Sequence, residues 1–303
     1  MAASVETWPS LRTADWADTC ATLHMWTQIA GKIRMVKTPP VNHWWHVALY
    51  VTSRGLTTSP MPDRDRTFEI EFDFQDHCLH IVTSDGQQDE FALEPMSVAD
   101  FYDRVMRALH ELEIDVHINT LPSEVPNPIR FEADLVHKSY DSDAALRFWQ
   151  VLVCSDNVLK DFRGRFIGKV SPVHFFWGGF DLAVSRFSGR RAPKHPPVPG
   201  VSYAMIEEAY SHECSSIGWW PGGNGVDASY FAYTYPEPQG LSKAHVRPAA
   251  AAWNDNLHEF ILPYDAVRNA SNPEQALMDF CQSTYEAGAD LAHWPRQELE
   301  RAS

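Results

Sequence analysis

Apolar residues fall into two periods along this chain. Over 16–34, Trp16, Leu23, Trp26, Ile29 and Ile33 recur at helical spacing, with Asp15 near the start and Pro39-Pro40 beyond the end. A stripe of that period, closed by prolines that cannot continue it, predicts a helix. Over 43–52 aromatic and β-branched residues crowd together, which predicts a strand. Over 67–75 the alternation is clean: Phe68, Ile70, Phe72 and Phe74 face one way, and Glu69, Glu71, Asp73 and Gln75 the other. That is a half-buried strand, expected to run on to Ile81. Ser84-Asp85-Gly86 marks a turn before a strand at 90–93, and Ser97 with Asp100 opens a helix that carries Phe101, Val105, Leu109 and Leu112.

A connector with three prolines at 121–128 follows, and then the order recurs. A helix is expected over 143–166, with Leu146, Trp149, Val153 and Phe162 on its apolar face. A strand at 173–184, a loop at 193–200, a strand at 202–217, a turn at 220–225 and a strand at 230–235 come next. His258-Glu259-Phe260-Ile261-Leu262 echoes the earlier 90–93 strand, and a last helix opens at Asn272-Pro273-Glu274. Short landmarks recur too. Pro40-Val41-Asn42-His43-Trp44-Trp45 resembles Pro172-Val173-His174-Phe175-Phe176-Trp177; Gly31-Lys32 and Gly168-Lys169 precede them, and Ser53-Arg54 and Ser185-Arg186 follow. The expected fold is therefore α+β: two related helix–antiparallel sheet–helix halves, 1–120 and 121–303, packed as one globular unit by internal duplication.

Composition narrows the function. With 44% apolar and 12% aromatic residues the 303-residue chain buries a sizeable core, and its net charge of −15 argues against a nucleic-acid partner. The five cysteines are scattered without a Cys-x-x-Cys pair, no apolar run has the length of a membrane span, and residues 1–6 lack signal-peptide character. The expectation is a cytoplasmic protein. Walker, Rossmann and Gly-x-Ser-x-Gly motifs are missing, and His212-Glu213 lacks the second histidine of a zincin.

Candidate chemistry sits on strand alternation. Asp73, Gln75 and His77 share one face at spacing two, and Glu208, Tyr210 and His212 repeat the pattern. Carboxylate and imidazole together suit iron, zinc or manganese. The candidate metal ligands are His77, His212, Asp73 and Glu208, with His46 as an addition; the same rows also read as a solvated polar face. Tyr210 and Asp181 are candidate proton-transfer groups. Arg54, Arg186 and Arg190 follow the aromatic strands and are candidate clamps for a carboxylate or phosphate, or partners for the surplus acids. Trp177 and Trp219 are candidates for stacking on a sugar or planar ligand. His43 and His174 each head an apolar strand face, and the sequence leaves open whether they belong to a site or to the core.

The stretches Asn42-His43-Trp44-Trp45-His46, Arg54-Gly55-Leu56-Thr57-Thr58-Ser59-Pro60, Ser171-Pro172-Val173-His174-Phe175-Phe176-Trp177-Gly178 and Glu208-Ala209-Tyr210-Ser211-His212-Glu213 resemble a family of uncharacterised, mainly bacterial proteins, domain of unknown function 5996. The resemblance spans nearly the whole chain, departs at Gly179 where serine is expected, and implies a single full-length bacterial domain with no established reaction. From the residues, the leading expectation is a metal-dependent enzyme acting on a small molecule between the halves. The alternative is a metal-free small-ligand or carbohydrate-binding protein with an aromatic cleft, and a third reading is a structural or partner-binding protein.

Overall fold

In the computed structural model, residues 7–198, 200–223 and 226–301 are described, and among them twelve strands form two antiparallel sheets. The first contains β1 (Tyr50–Val51), β2 (Gly55–Thr57), β3 (Met61–Asp63), β4 (Arg66–Asp73), β5 (Cys78–Thr83) and β6 (Gln88–Ala92). Its spatial order is β1-β2-β4-β5-β6, with β3 against the free end of β4. The second contains β7 (His174–Phe176), β8 (Asp181–Arg191), β9 (His212–Gly223), β10 (Val226–Tyr235), β11 (Ala252–Asn254) and β12 (Glu259–Pro263), in the order β7-β8-β9-β10-β12-β11. The sheets meet edge to edge. Leu49 and Phe175 exchange both backbone hydrogen bonds, at 2.9 and 2.8 Å, so the chain entering β1 pairs with β7.

The helices are α1 (Thr13–Lys37), α2 (Val98–Glu111), α3 (Ser142–Gly164), α4 (Tyr203–Ala209), α5 (Tyr264–Arg268), α6 (Pro273–Leu291) and α7 (Arg296–Leu299). The side chains of Ser97, Asp141 and Asn272 cap α2, α3 and α6 by accepting backbone N–H groups at 3.0–3.1 Å, each contributing about 1 kcal/mol. Helix α1 is central. Leu23, Trp26, Ile29 and Ile33 are fully buried, Thr22, Thr27, Gln28 and Lys32 are buried too, and the helix packs against α2, α3 and β9. A helix covered on all sides belongs to neither half alone.

Four expected strands change when the chain folds. Asn42–Val47 is a 3-10 turn, not strand, with His43 (φ 60°) and Trp44 (φ 61°) both left-handed. Side-chain contacts to the second half hold it there and override its β-forming composition. The row over 67–81 breaks at 74–77, where His77 (φ 52°) completes a tight turn between β4 and β5. The span 173–184 breaks at 177–180 into β7 and β8, and 202–217 divides into α4 and β9. The landmark echoes therefore rest on unlike structures: His43 lies in a turn and His174 in a strand, and Ser53-Arg54 lies in a loop whereas Ser185-Arg186 is within β8. Residues 220–223 of the expected 220–225 turn belong to β9 instead, and Asn224 and Gly225 lie outside the described residues, as do residues 1–6.

The second sheet has two contrasting faces. On one, Leu182, Val184, Arg186, Ile217, Trp219 and Tyr230 are buried under α3 and α6. On the other, Asp181, Ser185, Phe231, Tyr233, Glu259 and Ile261 remain partly exposed around the small residues Ala183, Ser216 and Gly218.

Candidate functional site

The half-open face of the second sheet brings hydroxyl, carboxyl and basic side chains together. Its floor follows from register: Ser185 pairs with Ser216, which pairs with Tyr233, and Ala183 pairs with Gly218, which pairs with Phe231. A Cβ at Gly218 would overlap the Phe231 ring and the Leu182 carbonyl, so that position admits no side chain. Across the floor runs a line of hydroxyls. Ser185 Oγ donates to Ser216 Oγ at 3.0 Å, Ser216 bonds the Tyr233 hydroxyl, and Tyr233 meets the Tyr210 hydroxyl at 3.1 Å.

Residues 192–198 and 200–211 form a roof over one end of this floor. Tyr235 donates to the Pro193 carbonyl at 2.9 Å, the His195 ring stacks on Tyr210 with centroids 4.3 Å apart, and Gly200 lies against the backbone of Glu124. At the far end stand carboxyls. Burial raises the Asp181 pKa well above the usual range, and Glu124 and Glu259 push it the same way. Burial also raises Glu259, to about 7.

At the near end is a cluster of bases that the turn Asn42–Val47 brings across from the first half. His43 Nδ1 lies 2.9 Å from the Ala209 carbonyl, and His43 Nε2 lies 2.8 Å from Lys169 Nζ. The carbonyl only accepts and an ammonium only donates, so Nδ1 carries the proton and Nε2 presents its lone pair to Lys169. Burial lowers the His43 pKa, and Lys169 and His212 reinforce the shift. The His212 ring stands edge-on to His43, 5.7 Å away. Lys169 Nζ lies 5.5 Å from the Trp45 ring centre and 5.4 Å from that of Phe187. No carboxylate pairs with Lys169 among the described residues. From His212 to Ser216 the floor spans about 13 Å, the rise of four strand residues.

The expected metal ligands do not converge on one point. Asp73 and His77 belong to the β4–β5 turn. Asp73 pairs with Arg54 and accepts Gln75 N–H and Asp76 N–H at 2.8 and 2.9 Å, and His77 Nδ1 bonds the Tyr140 hydroxyl at 2.8 Å. His212 begins β9, and Glu208 is on α4 with its charge close to His43 and His46. His46 Nδ1 accepts Val41 N–H at 3.2 Å. Among the described residues, three metal-type donors come within 4.8 Å of one another at Cys78, His80 and Glu90, on the open face of the first sheet, where His80 already pairs with Glu90 at 3.0 Å.

The expected substrate anchors are structural. Arg186 alternates with Ser185 and so points away from the site, with its guanidinium 3.5 Å from the Phe162 ring centre and 4.3 Å from that of Tyr285; burial lowers its pKa to about 10. Arg190 pairs with Glu213 at 2.7 Å and donates to the Ala292 carbonyl at 2.6 Å, closing the C-terminal end of α6. Arg54 clamps Asp73 and Asp76. Trp177 is buried, donates to the Val47 carbonyl at 2.7 Å and lies on Gly31 of α1; Trp219 is fully buried on the helix side. Neither forms an exposed stacking platform. Tyr210 and Asp181 do reach the site, together with Lys169, Tyr233 and His195, which sequence spacing did not single out.

No helix among the described residues is long and apolar enough to cross a membrane. Nothing among curated proteins or solved structures matches the chain. The family model that matches, over residues 8–301, is that of the family of unknown function DUF5996, and this chain belongs to that family.

Proposed function

We propose that this protein binds a small anionic organic molecule between the half-open face of its second sheet and the turn Asn42–Val47. Lys169, His43 and His212 receive the anionic group, and the hydroxyl line from Ser185 to Tyr210 receives polar groups further along. The observation that carries this reading is Lys169. In a chain with 25 basic against 40 acidic side chains it has no carboxylate partner among the described residues, and instead it faces an imidazole and two aromatic rings. A cation in that setting lacks its counterion, and an incoming carboxylate or phosphate supplies one. Tyr210 and Asp181 lie where they would exchange protons with such a ligand. A metal-dependent reaction has less support, because the expected donor atoms are divided between the two sheets.

The test is calorimetric titration with small carboxylates and inorganic phosphate. At least one should bind, and Lys169→Met should weaken it about 10- to 100-fold, the equivalent of one charge-assisted hydrogen bond. Undiminished affinity in the variant, or no binding by any of the anions, would sink the reading.

Two broader readings accompany this one. The halves are one duplicated unit, supported by a long helix followed by a six-stranded antiparallel sheet in each and by the antiparallel meeting of the two sheets at Leu49 and Phe175. The location is cytoplasmic, supported by five unpaired cysteines.

A further inference from the structure

We infer that Lys169 is a reactive amine that condenses with the carbonyl group of an aldehyde or 2-oxo acid, with His43 as its proton acceptor. The inference rests on the anion-binding reading and narrows its ligand to one that carries a carbonyl beside the anionic group.

Four observations point this way. Lys169 Nζ and His43 Nε2 are 2.8 Å apart, within direct proton-transfer distance. The Ala209 carbonyl, 2.9 Å from Nδ1, fixes the tautomer that leaves Nε2 free to accept. The imidazole reaches this position from a turn in which His43 and Trp44 are both left-handed, a conformation L-residues take up at a steric cost. Strain of that kind persists where the surrounding structure enforces it and gathers at functional sites. Finally, Lys169 itself is solvent-accessible, so a carbonyl compound can reach it. Partial desolvation of Nζ lowers the Lys169 pKa, towards the uncharged amine.

The step balances without an oxidant or a metal. His43 Nε2 takes one proton from the Lys169 ammonium, and the freed lone pair attacks the carbonyl carbon to give a carbinolamine. The His43 imidazolium then returns its proton to the carbinolamine hydroxyl, which leaves as water as the C=N bond forms. The protonated imine carries the positive charge that the ammonium held, and His212 remains beside the anionic group.

The experiment is reductive trapping of the full chain with glyoxylate and with pyridoxal 5′-phosphate, using sodium cyanoborohydride at pH 7 and peptide mapping by mass spectrometry. Lys169 should be labelled at least tenfold faster than the exposed Lys138 and Lys243. His43→Asn, which tolerates the left-handed backbone but removes the acceptor nitrogen, should slow labelling of Lys169 about tenfold and leave Lys138 unchanged. Equal labelling of all three lysines in the unmodified protein would overturn the inference without any variant, as would a His43→Asn rate equal to wild type. Anion binding that weakens in Lys169→Met while trapping shows no selectivity would remove the imine chemistry and leave the binding function in place. Selective trapping without anion binding by calorimetry would do the reverse.

Discussion

At the scale of single residues, what decides a polar group's role is whether the fold gives it a partner. Asp73 was attractive as a metal ligand because it shares a strand pattern with a histidine, but a guanidinium and two backbone N–H groups occupy its oxygens. His174 is the opposite case. It is fully buried, surrounded by the rings of Trp45, Tyr50 and Phe176, and neither ring nitrogen has a hydrogen-bond partner. Burial lowers its pKa to about 3, with Arg34 and Arg163 contributing. Its neutral form is therefore the native one. Below its ordinary pKa of about 6.5 the unfolded chain takes up a proton that the folded chain refuses, so stability falls as pH drops towards 3, by up to roughly 1.4 kcal/mol per unit. His174→Phe should stabilise the protein by about 1 kcal/mol at pH 7.5, by removing an unsatisfied polar group. At pH 4.5, two units below the ordinary histidine pKa, the advantage should be larger by a further ~2–3 kcal/mol. Urea unfolding of both proteins at the two pH values checks this, and an advantage independent of pH would show that the imidazole is not held neutral.

At the scale of elements, the sequence was legible wherever one local period controls a whole segment. The stripe from Trp16 to Ile33 became α1, and the Phe68–Phe74 alternation became β4. It was misleading where a short element is fixed from outside. Glu208, Tyr210 and His212 look like a strand row, yet Glu208 is helical, Tyr210 caps α4 and only His212 is extended, because α4 packs on the turn at Asn42–Val47. That packing joins residues more than 150 positions apart, which no local pattern encodes. Lys169 was visible only as half of a Gly-Lys echo, and its importance comes from a cross-half contact to His43. The joint between α1 and the β7–β8 turn is equally non-local. Trp177 sits where a Cβ on Gly31 would fall within its indole ring. Gly31→Ala gains about 0.5–1 kcal/mol of helix propensity but forces the tryptophan from its bond to Val47, and overpacking costs about 1–3 kcal/mol. The net expectation is destabilisation of about 1–2 kcal/mol. A thermal midpoint unchanged or raised in this variant would show that the indole yields freely.

At the scale of the whole molecule, the two halves share their core and their site. Helix α1 begins the first half but packs on α3 and β9 of the second, Trp177 reaches back to Val47, and the sheets are stitched at Leu49 and Phe175. The base cluster is likewise assembled from both sides: His43 comes from the first half, and Lys169, Ala209 and His212 from the second. Neither half could hold the strained turn at His43 alone, because the contacts that enforce it lie across the seam. Folding and site formation should therefore be a single event. Calorimetry of the full chain should show one unfolding transition whose calorimetric and van't Hoff enthalpies agree. The fragment 121–303, lacking α1 to cover Trp177 and its neighbours, should be aggregation-prone or unfolded when expressed alone. Two resolved transitions, or a fragment 121–303 that folds with selective reactivity at Lys169, would show instead that the second half is self-sufficient and that the left-handed turn at His43 is no part of the site.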